Sequence, residues 1–464
     1  MQKLIVLSLL AYLLFSCQAS QKLSTATQSN QTPNIIFILA DDQGYGDLGC
    51  YGSTALKTPN LDRMATEGML FTQAYVGSPV CAPTRCSLLT GKHTGHTTRR
   101  DNRASHEDLP FMQRKLIPLR DEDYTIGEMM KEAGYLTGCI GKWGLGNPGT
   151  TGPPYQQGFD HFMGYIDQVH AHDYYTSYLF ENADTLHIPE NRNGQRKVYS
   201  HDLMAEDALG FIRENQDTSF FLYLPLCLPH GKYEIPDNSA YADKDWPEQV
   251  KNYAAMITLM DQDIGRIFAL LDELQIDDNT LVIFTSDNGP NPPFVKALES
   301  NKPFRGTKRQ LLEGGIRTPM IARWPGKVPA GVTSELAWAF WDVMPTLADL
   351  ADFDLKVETD GISVLPTLVG NENQQKIHDF LYWEFYNPFH QAVRIGDWKG
   401  IRLGTAEPIH LFNLKTDRKE ENNLAAQHPE VVRKMEAIME QEHEPSPYWP
   451  TLSSASKGAK KLLR

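Results

Sequence analysis

The segment Cys81-Ala82-Pro83-Thr84-Arg85, continued by Cys86-Ser87-Leu88-Leu89-Thr90-Gly91, holds the residues best placed to do chemistry. Proline suits the first turn of a helix and glycine its end, so a helix is expected here with Cys81 at its N-terminus. Free backbone N–H groups and the helix dipole favour an anion at that point. Arg85 lies one turn on and can reach back over it. Cys81 and Cys86 are five apart and do not share a helix face, so they are not read as a metal pair; a buried thiol is the ordinary alternative for either. Polar side chains also follow several apolar runs: Asp41 and Asp42, Lys142, His230, then Asp287 and Asn288. Two adjacent acids after one strand are more often a solvated loop. Such oxygens after two separate buried strands point to a shared site for a hard cation.

These residues need a frame. Asn34 to Ala40 is a continuous apolar run, as in a strand buried on both faces. Helices are expected over 61–67, 126–133, 201–215 and 253–274, and further strands over 135–140, 220–226 and 281–285. This alternation predicts an α/β fold, a large, mostly parallel sheet covered by helices on both faces, with its ligand site beyond the strands' carboxyl ends. Around 370–376 Gly, Asn and Gln crowd together, and short aromatic segments over 380–385 and 392–401 precede a helix over 429–440. A catalytic domain over 33–374 is therefore expected, followed over 375–464 by a smaller antiparallel-sheet α+β subdomain whose tail from Ser453 is mobile.

The 464 residues are 41% hydrophobic and 22% charged, the profile of a globular chain long enough for two or three domains. The net charge of −14 argues against a nucleic-acid partner but not against an anionic substrate, which answers to local charge. Six cysteines are too few for a disulfide framework, so Cys50, Cys86, Cys139 and Cys227 are expected as buried thiols. Residues 1–20 read as a signal peptide, with Lys3 before an apolar run too short to span a bilayer. Leu14-Phe15-Ser16-Cys17 resembles a bacterial lipobox, which would end the leader at 16 and lipidate Cys17; the alternative is cleavage near Ala19. Either reading exports the protein, to the periplasm or to the outer membrane as a lipid-anchored protein.

The motif C-x-P-[ST]-R, followed by x-x-L-x-T-G, resembles the signature of the type I sulfatases of the alkaline phosphatase superfamily. The resemblance implies that a maturation enzyme oxidises Cys81 to formylglycine, whose hydrated aldehyde attacks the sulfur of a sulfate ester. Pro33-Asn34 to Gly46-Asp47 and Ser286-Asp287-Asn288-Gly289 resemble the family's calcium segments, implying Asp41, Asp42, Asp287 and Asn288, with position 81, as ligands. The same resemblance makes Asp287 the base and Arg85 the holder of the aldehyde hydrate. Gly141-Lys142-Trp143 and Phe304-Arg305-Gly306-Thr307-Lys308 match segments whose lysines hold sulfate, so Lys142 and Lys308 are expected to do so. Leu228-Pro229-His230 matches the histidine that protonates the leaving alcohol.

One position departs from the family. Gly144 stands where members commonly carry the histidine of G-K-W-H, which helps expel sulfate from the covalent intermediate. Either the chain is a binding-only relative or another base fills the space; His172, and after it His170, is expected to enter the site as base or sugar ligand. The resemblance points to a sulfated sugar chain, with galactose, N-acetylgalactosamine and glucosamine all open. In the basic cluster Arg99 to Arg103, Arg100 and Asn102 are expected to touch sugar hydroxyls. Two alternatives remain at this level. One is a phosphomonoester or phosphonate hydrolase, although two zinc ions would call for histidines that this Asp/Asn set lacks. The other is a non-catalytic lipoprotein that binds sulfated glycans.

Overall fold

The run Asn34–Ala40 forms strand β1, and its alternate residues face two different cores. Ile35, Phe37 and Leu39 pack into one apolar cluster, and Ile36, Ile38 and Ala40 into the other. A strand covered on both faces must be apolar throughout, which is why this one shows no alternation. The computed structural model describes residues 32–103, 117–386 and 388–451. The leader over 1–20, Cys17 and the tail from Ser453 lie outside the described residues. Among those described, no helix is long and apolar enough to cross a membrane.

In chain order the strands that follow are β2 (Met69–Phe71), β3 (Ala74–Tyr75), β4 (Leu136–Lys142), β5 (His161–Tyr165), β6 (Tyr178–Glu181) and β7 (Asp184–His187). Then come β8 (Phe220–Pro225), β9 (Thr280–Ser286), β10 (Met320–Arg323), β11 (Val332–Ser334) and β12 (Trp338–Ala339). Ten of these form one sheet, in the order β11-β2-β10-β9-β1-β8-β4-β5-β6-β7. Its centre, β9-β1-β8-β4-β5, is parallel throughout. The antiparallel pairs of β10 and of the β6–β7 hairpin lie toward its two edges. The carboxyl ends of the parallel strands therefore converge on one edge, delivering Asp41, Lys142 and Asp287 together.

Helices α1 (Pro59–Glu67), α2 (Cys81–Thr90), α3 (Ile126–Glu132), α4 (Ser200–Glu214) and α5 (Glu248–Glu273) fall within a few residues of their expected positions. Helix α2 is buried along its whole length, which accounts for its lack of an amphipathic stripe. It ends at Gly91, whose φ of +67° is the left-handed conformation glycine adopts without a Cβ penalty.

The C-terminal segment forms a four-stranded antiparallel sheet of β13 (Leu381–Tyr386), β14 (Phe389–Ile395), β15 (Trp398–Arg402) and β16 (His410–Asn413). The stretch 392–401, expected as one segment, is part of a hairpin that turns at Gly396 (φ +54°). One face of this sheet, with Trp383, Phe385, Ala392 and Ile401, belongs to the same apolar cluster as β1 and α2. The other face packs Tyr382, Val393 and Leu411 on Met435 and Met439 of the terminal helix Pro429–Gln441. Five cysteines are described and all are free: Cys81, Cys86, Cys139 and Cys227 buried, Cys50 half-buried.

Candidate active site

Position 81 sits where a helix terminus meets the sheet edge. No side chain of the preceding residues caps α2; instead Asn102 Oδ1 accepts the Ala82 N–H at 3.0 Å. Cys81 Sγ lies 3.3 Å from Asp41 Oδ1 and 3.3 Å from Lys308 Nζ. One turn on, Arg85 donates from Nε and Nη2 to Asp287 Oδ2 (3.2 and 2.9 Å) and from Nη1 to the Lys142 carbonyl (2.6 Å). Lys142 Nζ pairs with Asp41 Oδ2 at 2.5 Å, and Lys308 Nζ pairs with Asp42 Oδ1. Three carboxylates, of Asp41, Asp42 and Asp287, thus face three cations, of Arg85, Lys142 and Lys308, all of them buried.

Asp42 is held at φ +67°, a conformation that costs a residue with a Cβ about 1–3 kcal/mol. The surroundings impose it: its N–H donates to Asp287 Oδ1 (3.1 Å), while Oδ1 accepts from Asn288 Nδ2 (2.7 Å) and Oδ2 from Asn291 Nδ2 (2.5 Å). His230 Nε2 stands 3.3 Å from Asp42 Oδ2. Ligating atoms of Asp41, Asp42, Cys81 and His230 all lie within 4.8 Å of one another.

The electrostatics follow from burial and these pairs. Burial pushes the Cys81 thiol well up, and the Asp287 and Asp41 charges push it further, so an unmodified cysteine here is a protonated, weak nucleophile. Burial also raises Asp287, to about 6, with the Asp41 charge adding and Arg85 opposing. For Asp41 burial is outweighed by the surrounding cations, which hold the carboxyl well below the usual range. His172 is lowered to about 4, by burial first and then by the Lys142 charge.

A cavity of about 270 Å³ opens onto this cluster, lined by Cys81, His172, His230 and Lys308 and, on the loops above, by Asp101, Asn102, Gln168 and Arg309. His172 stacks on His230 with ring centroids 4.6 Å apart.

The sulfatase family pattern matches residues 33–353, and the pattern described as N-sulphoglucosamine sulphohydrolase, C-terminal, matches 306–444. The chain belongs to the sulfatase family. It is a sulfuric ester hydrolase. It is 33% identical to the N-acetylgalactosamine-6-sulfatase of Canis lupus familiaris, over 81% of this chain and 72% of that one. Identity to the N-acetylgalactosamine-6-O-sulfatase of Bacteroides thetaiotaomicron is 30%, over 89% of this chain and 93% of the relative. A solved structure of Ps i-CgsB in complex with k-i-k-neocarrahexaose superposes with a TM-score of 0.76 at 27% identity, covering 93% of this sulfatase and 97% of that chain.

Two sugar-contact expectations fail on geometry. Arg100 does not reach the cavity: it is buried, and its guanidinium bonds Glu384 Oε2 (3.3 Å), Tyr386 Oη (3.3 Å) and the carbonyls of Thr97 and Glu444. It fastens the loop to the C-terminal sheet. His170 is turned aside likewise, with Nε2 on Thr176 Oγ1 (2.7 Å) and its ring stacked on Tyr178. Arg99, Asp101 and Arg103 of that loop line the cavity beside Asn102; Asp101 was passed over because consecutive loop residues carry no periodic signal of facing. Gln168 was missed for a different reason. A Cβ at Gly144 (φ +82°) would stand 2.4 Å from Gln168 Nε2, so the glycine that departs from the family makes room for this carboxamide.

A second histidine–carboxylate group lies at the far end of α2, where His93, His96 and Glu442 converge with Asp360. His93 Nδ1 accepts the Gly95 N–H (3.2 Å), so Nε2 carries the ring proton and donates it to Glu442 (3.2 Å). That tautomer makes the group a hydrogen-bonded latch between α2 and the C-terminal segment.

Proposed function

We propose that this sulfatase removes sulfate from sulfated sugars by attack from a formylglycine generated at Cys81, beside a calcium ion held by Asp41, Asp42, Asp287 and Asn288. The observation that carries the reading is the buried cluster of three carboxylates and three cations around the N-terminus of α2. Donor chemistry supports the ion. The ligands are hard oxygens, and Asn288 Oδ1 is buried beside Asp42 with no partner among the described residues, an acceptor that an oxygen-preferring cation would satisfy. When bound, calcium would supply positive charge to the sulfate oxygens and to the attacking oxygen.

The chain's own groups divide the remaining work. Oxidised to a hydrated aldehyde, position 81 offers a hydroxyl where the thiol offers only a protonated sulfur. Asp287 takes the proton of that hydroxyl, and Arg85 fixes the Asp287 carboxylate through two hydrogen bonds. Lys142 and Lys308 bind sulfate oxygens and stabilise the charge that grows on them as the ester bond breaks. His230 protonates the leaving alcohol, with Lys308 beside it. The sulfate left on position 81 departs as the second hydroxyl gives up its proton and the aldehyde reforms; His172, on the face of His230, supplies the base for this step or meets the sugar.

Relatives named for N-acetylgalactosamine 6-sulfate support a sulfated hexosamine or galactose as substrate. The apolar leader and Cys17 support export with a lipid anchor, in the periplasm or at the outer membrane of a bacterium. The test is sulfate release from individually sulfated galactose, N-acetylgalactosamine and glucosamine by protein coexpressed with a formylglycine-generating maturation enzyme. Turnover is expected to vanish in Cys81→Ala, to fall on calcium chelation, and to track the aldehyde content of the position-81 peptide in mass spectra. Full activity with an intact Cys81 thiol would refute the mechanism.

A further inference from the structure

Three cavity-lining residues, Asp101, Gln168 and His230, have a buried polar atom with no partner among the described residues, and two of them take no part in the reaction above. The first such atom is Oδ2 of Asp101. This residue is 3% exposed, and its other oxygen accepts the Asn102 N–H at 2.5 Å. The second is Nε2 of Gln168, on the loop after β5. Leaving a buried donor or acceptor unmet costs about 1–3 kcal/mol, and native structures seldom do so without a use for the group.

The Asp101 loop is held in place. Arg99 pins the Asp101 loop from inside, donating to the carbonyls of Asp101 (3.1 Å), Asn102 (2.8 Å) and Ile117 (2.7 Å). Asn102 ties the same loop to the N-terminus of α2, so the Asp101 backbone is fixed relative to position 81. Gly144 clears the space that Gln168 fills. The result is one acceptor and one donor, on two loops whose residues line the cavity that opens onto the nucleophile. A sulfate ester already has its cations, so groups of this polarity suit the part of the substrate that both gives and takes hydrogen bonds.

We propose that Asp101 and Gln168 read hydroxyl groups of the sulfated sugar, Asp101 accepting a hydroxyl proton and Gln168 donating to a hydroxyl oxygen. This deepens the sulfated-sugar reading and rests on it. Burial raises the Asp101 carboxyl to about 7, against the pull of the Asn102 and Arg103 backbone amides and of the Arg99 and Arg309 charges.

Shape-conserving substitutions that reverse each polarity test this: Asp101→Asn turns the unmet acceptor into a donor, and Gln168→Glu turns the donor into an acceptor. kcat/KM is measured on galactose 6-sulfate, N-acetylgalactosamine 6-sulfate and N-acetylglucosamine 6-sulfate, on their ring-deoxy analogues, and on 4-nitrophenyl sulfate, whose leaving group has no ring hydroxyl. The ratio of sugar to aryl sulfate kcat/KM is expected to fall about tenfold or more in each variant, and removal of the hydroxyl that is read should cost wild type far more than the variant. An unchanged ratio, including an equal loss on both substrate types, overturns the inference while leaving the function standing. Wild type that turns over the aryl sulfate but none of the sugars overturns both.

Discussion

Arg85 bears the heaviest geometric demand of any side chain at the site, because one planar group bonds a carboxylate through two nitrogens and a backbone carbonyl through a third. Lysine keeps the charge and loses that fork. Arg85→Lys is therefore expected to lower kcat/KM at least about 100-fold when rates are expressed per formylglycine-containing molecule at saturating calcium, a loss of transition-state positioning beyond any loss of loading. Retention of more than half the wild-type rate would show that charge alone suffices there. At this scale the sequence was most legible where side-chain type and strand end coincide: Asp41, Asp42, Lys142, Asp287 and Asn288 fall together because parallel strands end together. It was least legible in the loop 99–103, where Arg100 and Asn102 were expected at the sugar and only Asn102 reaches the cavity. Burial there is decided by contacts to Glu384, Ile117 and α2, none of them near in sequence.

Among the elements, α2 was readable at both ends from Pro83 and Gly91, but its N-terminal partner was not, because Asn102 arrives from a separate loop. The other end of α2 is bound through the latch. His96 Nδ1 lies 2.9 Å from Asp360 Oδ1, and although burial opposes the ring's charge, this carboxylate outweighs it and raises the His96 pKa. The sign follows from linkage: a histidine raised on folding contributes stability that is complete below its unfolded value near about 6.5 and fades as pH rises through the folded one. The gap in urea midpoint between wild type and His96→Asn should thus be wider at pH 6 than at pH 9. Equal gaps would mean that packing, not charge, is what His96 supplies. The hairpin of β14 and β15 was read as one segment because its turn is only two residues, Gly396 and Asp397.

For the molecule as a whole, the small sheet and the large one are joined by charge as well as by apolar surface. Lys399 on β15 is fully buried, 2.8 Å from Glu313 Oε1 and 3.0 Å from Glu420 Oε1. Glu420 Oε2 in turn accepts the Glu313 N–H at 2.7 Å, and Glu313 follows Lys308 by five residues. Lys399→Met would leave two buried carboxylates facing each other, and breaking a buried set in this way costs about 3–5 kcal/mol. The expected result is a lower urea midpoint, with sulfate release lost together with global structure in one transition. A separate early transition confined to the C-terminal sheet would instead reveal two independent folding units. The composition change near 370–376 was visible in the sequence, but not that the aromatic strands beyond it complete the core around β1 and α2.

The buried lysine also limits how such enzymes can exchange parts. A gene fusion that joined the first 390 residues of this chain to the end of a relative with an apolar residue at position 399 would keep the Arg317 partner of Glu313 Oε2 but leave Glu313 Oε1 without the lysine that it shares with Glu420. Any crossover that survives must carry Glu313, Lys399 and Glu420 as one linked trait. Specificity grafted onto this scaffold is therefore better taken from the loops around Asp101 and Gln168 than from a swapped C-terminal half.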